Sequence, residues 1–256
     1  MHWKWLGISF IFLALNLQAG EPDFARESRL ANQIVDAILD GDPEWLSAGD
    51  REFLTLFTES DDLSHAVIIL HGRGFHPDWA DAINPLRVGL AENGYATLSM
   101  QMPVLQKDAK YYDYVPIFLY AHGRIEAGIE FLREQGYQKI TLLAHSCGAH
   151  MAMSWLGDKG DEDLHAFIGL GLGATDYQQP MLHAFPLDRL KVPVFDLYGE
   201  NEFPAVIKMA PERLQAMQVA GNPDSLQKVL PGSDHYFTDH GDALLEEVLA
   251  WLGSIN

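Results

Sequence analysis

The chain has 256 residues and carries 36 acidic against 17 basic side chains, a formal net charge of -19. That surplus repels phosphate backbones and anionic lipid surfaces, which excludes nucleic acid and stable membrane attachment as partners of the folded domain. The single cysteine, Cys147, cannot form an intramolecular disulfide, so the fold must rest on its apolar core.

Taken from the N-terminus, Lys4 precedes an apolar run from Leu6 to Leu17, followed by Leu17-Gln18-Ala19. This pattern predicts a secretory signal over residues 1–19, cleaved after Ala19, and export to the periplasm or beyond. The run is about 12 residues, short of the roughly 20 needed to span a bilayer. No cysteine follows it, which excludes a lipoprotein signal. Residues 20–256 remain, a length that suits one domain.

Leu30, Ile34 and Ile38 share a helical face, and Gly41 ends that helix before Asp42-Pro43. The segment "EFLTLFTES" from residue 52 predicts a strand, and Ser60-Asp61-Asp62 the turn after it. Core strands are then expected at "AVIILHG" from 66, "YATLSMQMP" from 95, "ITLLA" from 140, "AFIGLGLGA" from 166 and "VPVFDLYGE" from 192, with a weaker one at "SLQKVLPG" from 225. Helical patterns fall between them at about 79–93, 116–135, 147–156 and 204–220, and a last helix at about 242–252. Gly157 is the expected stop of the third, and Asp78 the carboxylate opening the first. Strands alternating with helices predict an α/β fold: a doubly wound, mostly parallel sheet with helices on both faces, in a single domain.

In such sheets ligands bind at the carboxyl ends of the strands. At the strand-to-helix break of "QKITLLAHSCGAHMAMSWLG" stands Ser146, within Ala144-His145-Ser146-Cys147-Gly148. This is the G-x-S-x-G nucleophile elbow with alanine for the first glycine, a change a crowded turn tolerates because alanine is the next smallest side chain. His71-Gly72-Arg73-Gly74 ends the first core strand; the Arg73 and Cys147 N–H groups could together hold an oxyanion. His235, in "PGSDHYF" before the last helix, occupies the place of a general base. For the acid that orients it, Glu202 in "YGENEFP" is favoured, with Asp176 as the rival and Asp196 assigned to the sheet interior. The order nucleophile, acid, base is that of α/β-hydrolases.

"VIILHGRGFHPDW", "NPLRVGLAENGYATLSMQMPVL", "AHSCGAH" and "GSDHYF" together resemble a bacterial group of predicted secreted α/β-hydrolases, described as a domain of unknown function and distantly similar to dienelactone hydrolase. The resemblance spans the chain after the signal. It implies an α/β-hydrolase fold with a hydrolase-type site at Ser146, Glu202 and His235, and no particular substrate.

Three functions fit these features. The first is cleavage of a carboxylic ester through an acyl-enzyme, and the second is thioester or amide cleavage with the same residues. The third is a non-catalytic envelope binding protein on the same fold. The first two need a small acyl substrate and no cofactor. A metal site is not expected, because His145 and His150 lack the i, i+4 spacing of a helical ligand pair. Tyr111, Tyr112, Tyr114, Phe118 and Tyr120 supply ring area either for a substrate pocket or for the core, and the loop from Thr175 to Pro186 leaves room for only a small lid.

Overall fold

The computed structural model describes residues 20–255, so the expected signal lies outside the described residues. Among the described residues the strands are β1 (Asp42–Ala48), β2 (Arg51–Thr58), β3 (His65–Leu70), β4 (Ala96–Met100), β5 (Lys139–His145), β6 (Ala166–Leu170), β7 (Val194–Asn201) and β8 (Leu226–Asp234). The helices are α1 (Phe24–Ile34), α2 (Ile83–Glu92), α3 (Tyr111–Tyr114), α4 (Leu119–Glu134), α5 (Cys147–Lys159), α6 (Pro204–Ala220) and α7 (Gly241–Ser254). One eight-stranded sheet runs in the order β1-β2-β4-β3-β5-β6-β7-β8. Its pairs are parallel from β4 through β8, whereas β1 with β2 and β2 with β4 are antiparallel.

The unbroken apolar strands serve both faces, as expected for the centre of a parallel sheet. On β3, Ile68 and Leu70 enter one core with the α4 and α5 residues Ile125, Ile129, Met151 and Trp155. Val67 and Ile69 enter the opposite core with Leu86 of α2 and Leu244 and Val248 of α7. A one-residue slip of this strand would exchange its two faces, so the pattern fixes its register. A third, small cluster joins Ala31 of α1 to Leu54 and Leu56 of β2.

Three local expectations are corrected. Residues 42–48, where the sequence pattern predicts no element, form the edge strand β1. Gly41 at φ 79° and Gly49 at φ 64° turn the chain into and out of it, and an edge position accommodates Pro43 because one side of the strand needs no ladder donor. Helix α2 starts at Ile83, not near Trp79. Asp78 therefore does not open the helix, and its carboxylate instead accepts from Asn84 Nδ2 (2.8 Å) and from Nη2 (2.7 Å) of the buried Arg87. Helix α5 passes through Gly157 to Lys159 and ends at Gly160, whose φ of 84° suits a residue without a side chain.

Candidate active site

Ser146 joins β5 to α5 at φ 54° and ψ -116°, outside the regions an L-residue prefers. Such a conformation persists only where its surroundings hold it, and here the Ser146 N–H donates to Leu170 O at 2.9 Å. Gly148 explains the close fit behind the turn: a Cβ there would lie 2.5 Å from His71 O. Ala144 pairs across the ladder with Gly169 of β6, so a methyl group fits where the usual motif has glycine.

The carboxyl ends of three strands converge on this turn. His235 directly follows β8, and its Nε2 lies 2.8 Å from Ser146 Oγ. Glu202 directly follows β7, and its Oε1 lies 2.5 Å from His235 Nδ1. Because a carboxylate can only accept, Nδ1 carries the proton and Nε2 is left to accept from the serine hydroxyl. Glu202 Oε1 also accepts from the Phe203 N–H at 2.7 Å, while Oε2 has no hydrogen-bond partner and is buried. The Phe203 ring stacks on His235 at 4.2 Å, and His145 Nε2–H donates to the His235 carbonyl at 2.9 Å. Glu202 and Phe203 thus hold the imidazole, and His145 holds the backbone that carries it.

The rival acid stands elsewhere. Asp176 forms an ion pair with the Arg73 guanidinium, accepts from the Tyr111 N–H at 2.7 Å and faces Lys110 at 3.8 Å. Those partners hold its carboxyl below the usual carboxylate range, against the opposing effect of burial. Asp176 therefore ties the loops after β3 and β6 to the start of α3. Asp196 is fully buried in β7 and paired with Arg213 at 2.7 Å.

Arg73 and Cys147 both line the cleft above Ser146. Cys147 is the first residue of α5, where a helix leaves its N–H groups without partners. Burial pushes the Cys147 thiol up to about 12, so at neutral pH it is protonated and not a competing nucleophile. The Arg73 loop is anchored by His71, at the end of β3, and by Arg26 of α1. His71 Nδ1–H donates to Gly72 O at 2.8 Å, its Nε2 accepts from the Met102 N–H at 2.9 Å, and Arg26 of α1 donates to Leu105 O and Gly74 O.

The aromatic run divides its roles. Tyr111 lines the cleft, Tyr114 is buried with its hydroxyl accepting from the Leu105 N–H, and Tyr112 and Tyr120 are exposed.

Gly171, after β6, has φ 64°, and a Cβ there would meet His235 Nδ1 at 3.0 Å and Glu202 Oε2 at 3.1 Å. Gly171→Ala is therefore expected to disturb the His235–Glu202 pair and to lower any activity of the site by at least about tenfold, since small misplacements in such sites are costly. Steady-state kinetics with a circular-dichroism check of folding would measure this, and an unimpaired variant would contradict the geometry.

Three buried histidines also set an acid limit on stability. Burial pushes His71 and His145 down to about 3 and His150 down to about 4. An unfolded chain takes up these protons near pH 6.5 while the folded chain does not, so their contribution is complete above pH 6.5 and is lost as pH falls. From pH 6.5 to 5 each is expected to cost up to ~1.4 kcal/mol per pH unit, visible as a falling urea midpoint. A midpoint constant over that window would refute it.

Solved structures with the same fold carry the comparison further. Est1E from Butyrivibrio proteoclasticus superposes with a TM-score of 0.63 at 15% identity, over 82% of this chain and 99% of that one. Dienelactone hydrolase from Anabaena variabilis gives 0.60 at 15% identity, over 83% and 98%. An alpha-beta serine hydrolase homologue from Coxiella burnetii gives 0.62 at 14% identity, over 83% and 98%. The chain has the α/β-hydrolase fold. No curated protein matches it in sequence. The model of the family described as "Protein of unknown function (DUF3530)" matches residues 17–113 and 121–252, nearly the whole chain, and the protein belongs to that family.

Proposed function

We propose that the protein is a serine hydrolase that cleaves a carboxylic ester or a related acyl bond through an acyl-enzyme on Ser146. The observation that carries this reading is the continuous relay from Ser146 Oγ through the His235 ring to Glu202 Oε1, at 2.8 and 2.5 Å, below an open cleft. In this mechanism Ser146 Oγ attacks the carbonyl carbon as His235 Nε2 takes its proton. Glu202 fixes the imidazole tautomer and stabilises the imidazolium, and the Arg73 and Cys147 N–H groups receive the oxyanion. His235 then returns the proton to the leaving group. Water, deprotonated by the same imidazole, attacks the acyl carbon and restores Ser146.

A panel of chromogenic esters, thioesters and anilides tests the reaction class. Hydrolysis of the esters with the highest kcat/KM is expected. Preference for the thioesters or anilides would reassign the bond while keeping the mechanism, and inactivity on all three would favour a binding protein.

We also propose that the enzyme acts outside the cytoplasm. The apolar run of residues 6–17 and the Leu17-Gln18-Ala19 that closes it support this reading. N-terminal sequencing of the exported protein is expected to start at Gly20. A chain that keeps Met1 and fractionates with the membrane would refute both cleavage and release.

A further inference from the structure

The cleft directly above Ser146 is small, about 60 Å³, and it adjoins a larger groove of about 390 Å³. The two share the walls Tyr111 and His150. From there the groove follows α5. Ser146, His150, Met153 and Gly157 lie at i, i+4, i+7 and i+11, one face of the helix, and the last three line the groove. At 1.5 Å per residue this face extends about 16 Å from the serine.

The groove is apolar at the end that adjoins the cleft. His150 is 3% exposed, and its ring contacts Tyr111 at 4.9 Å, Phe118 at 5.9 Å and Phe185 at 5.1 Å. Its Nε2–H is spent on Ala174 O at 2.9 Å, and burial keeps it neutral. The loop wall opposite is fixed where the Leu182 N–H donates to the Tyr111 hydroxyl at 3.2 Å. Arg189 also lines the groove but is exposed to solvent.

The chemistry assigns the groove to one side of the scissile bond. His235 must hand its proton to the leaving oxygen, so the leaving group lies on the side of His235, Phe203 and Tyr236. Those three residues line the small cleft and none of them lines the groove. The acyl substituent therefore points the other way, past Tyr111 and His150.

We propose that the groove along α5 is an acyl-chain subsite, and that the substrates are esters of an extended, uncharged, apolar carboxylic acid. This rests on the serine-hydrolase reading above. An acetyl group would leave the groove empty. Each added methylene buries apolar surface along it and raises kcat/KM until the chain reaches its open end near Gly157.

Gly157 gives a clean test. It is exposed, it sits in helical backbone, and a Cβ there meets nothing within 4 Å, so a side chain can be added without a clash. Leucine also favours the helix over glycine, which protects folding. The experiment measures kcat/KM of the parent and of Gly157→Leu on 4-nitrophenyl esters of acetic, hexanoic and tetradecanoic acid, with fluorophosphonate labelling of both proteins. The parent is expected to prefer tetradecanoate over acetate by at least about tenfold. Gly157→Leu should lose at least about tenfold on tetradecanoate while acetate stays within about threefold. A parent that hydrolyses acetate but gains nothing with chain length overturns the acyl-chain subsite alone, as does a Gly157→Leu variant that keeps the parental profile. A parent that hydrolyses none of the esters and takes no label overturns the hydrolase reading and the subsite with it.

Discussion

Replacing Ser146 by alanine is expected to lower ester turnover by at least about 10⁴-fold with the fold unchanged. Loss of the nucleophile in a serine-protease relay costs about that much or more, because the acyl-enzyme can no longer form. The hydroxyl makes its hydrogen bond to His235 Nε2, whereas the turn itself is held by the Ser146 N–H to Leu170 O, which alanine retains. Alanine at φ 54° carries the same backbone strain as serine, so the thermal midpoint should move by no more than a few degrees. Residual turnover above about 1% in a folded Ser146→Ala protein would remove Ser146 from the mechanism.

The second large effect is expected at Glu202. Glu202→Gln keeps the shape of the side chain and removes the charge that stabilises the imidazolium, and the analogous change in a serine protease lowers turnover about 10⁴-fold. A loss of at least about 100-fold in kcat is expected here, with little change in KM. Asp176→Asn serves as the contrast. It weakens the ion pair to Arg73 and the contact with Lys110 at the mouth of the cleft, but touches neither Ser146 nor His235. Its kcat is expected within about tenfold of the parent. If the two variants exchange places, Asp176 must reach His235 in the working enzyme and the static pairing with Glu202 is misleading. If neither variant loses turnover, the Ser146–His235 pair works without an acid.

The parallel core was legible in the sequence because β3, β5 and β6 are short apolar runs interrupted only by Thr141, as expected for a sheet covered on both faces. Their ends could be read as well, since Ser146, Gly72 and Gly74 mark turns that few other residues make. The edge hairpin was not legible. In β1, Trp45 and Leu46 stand among Asp42, Pro43, Glu44 and Ser47, and such a strand is recognisable only by its partner β2, which lies beyond a turn of two residues. Asp78 was misassigned for a related reason: its partner Arg87 lies nine residues away, and a helix-opening carboxylate looks the same in sequence as one that neutralises a buried guanidinium. The choice between Glu202 and Asp176 depended on where two loops lie relative to His235, and spacing along the chain carries little information about that. The anchoring contacts of His71, His145 and Arg26 are likewise long-range, joining residues as far apart as 90 positions in the case of His145 and His235.

The most direct measurement of the central claim is covalent labelling of the intact protein by an alkyl fluorophosphonate, followed by peptide mass mapping. A nucleophilic Ser146 activated by His235 predicts stoichiometric label on the peptide containing Ser146, at a rate that falls at least about 100-fold in Glu202→Gln. Label on another residue, or no label on protein whose circular dichroism shows it folded, would contradict the account.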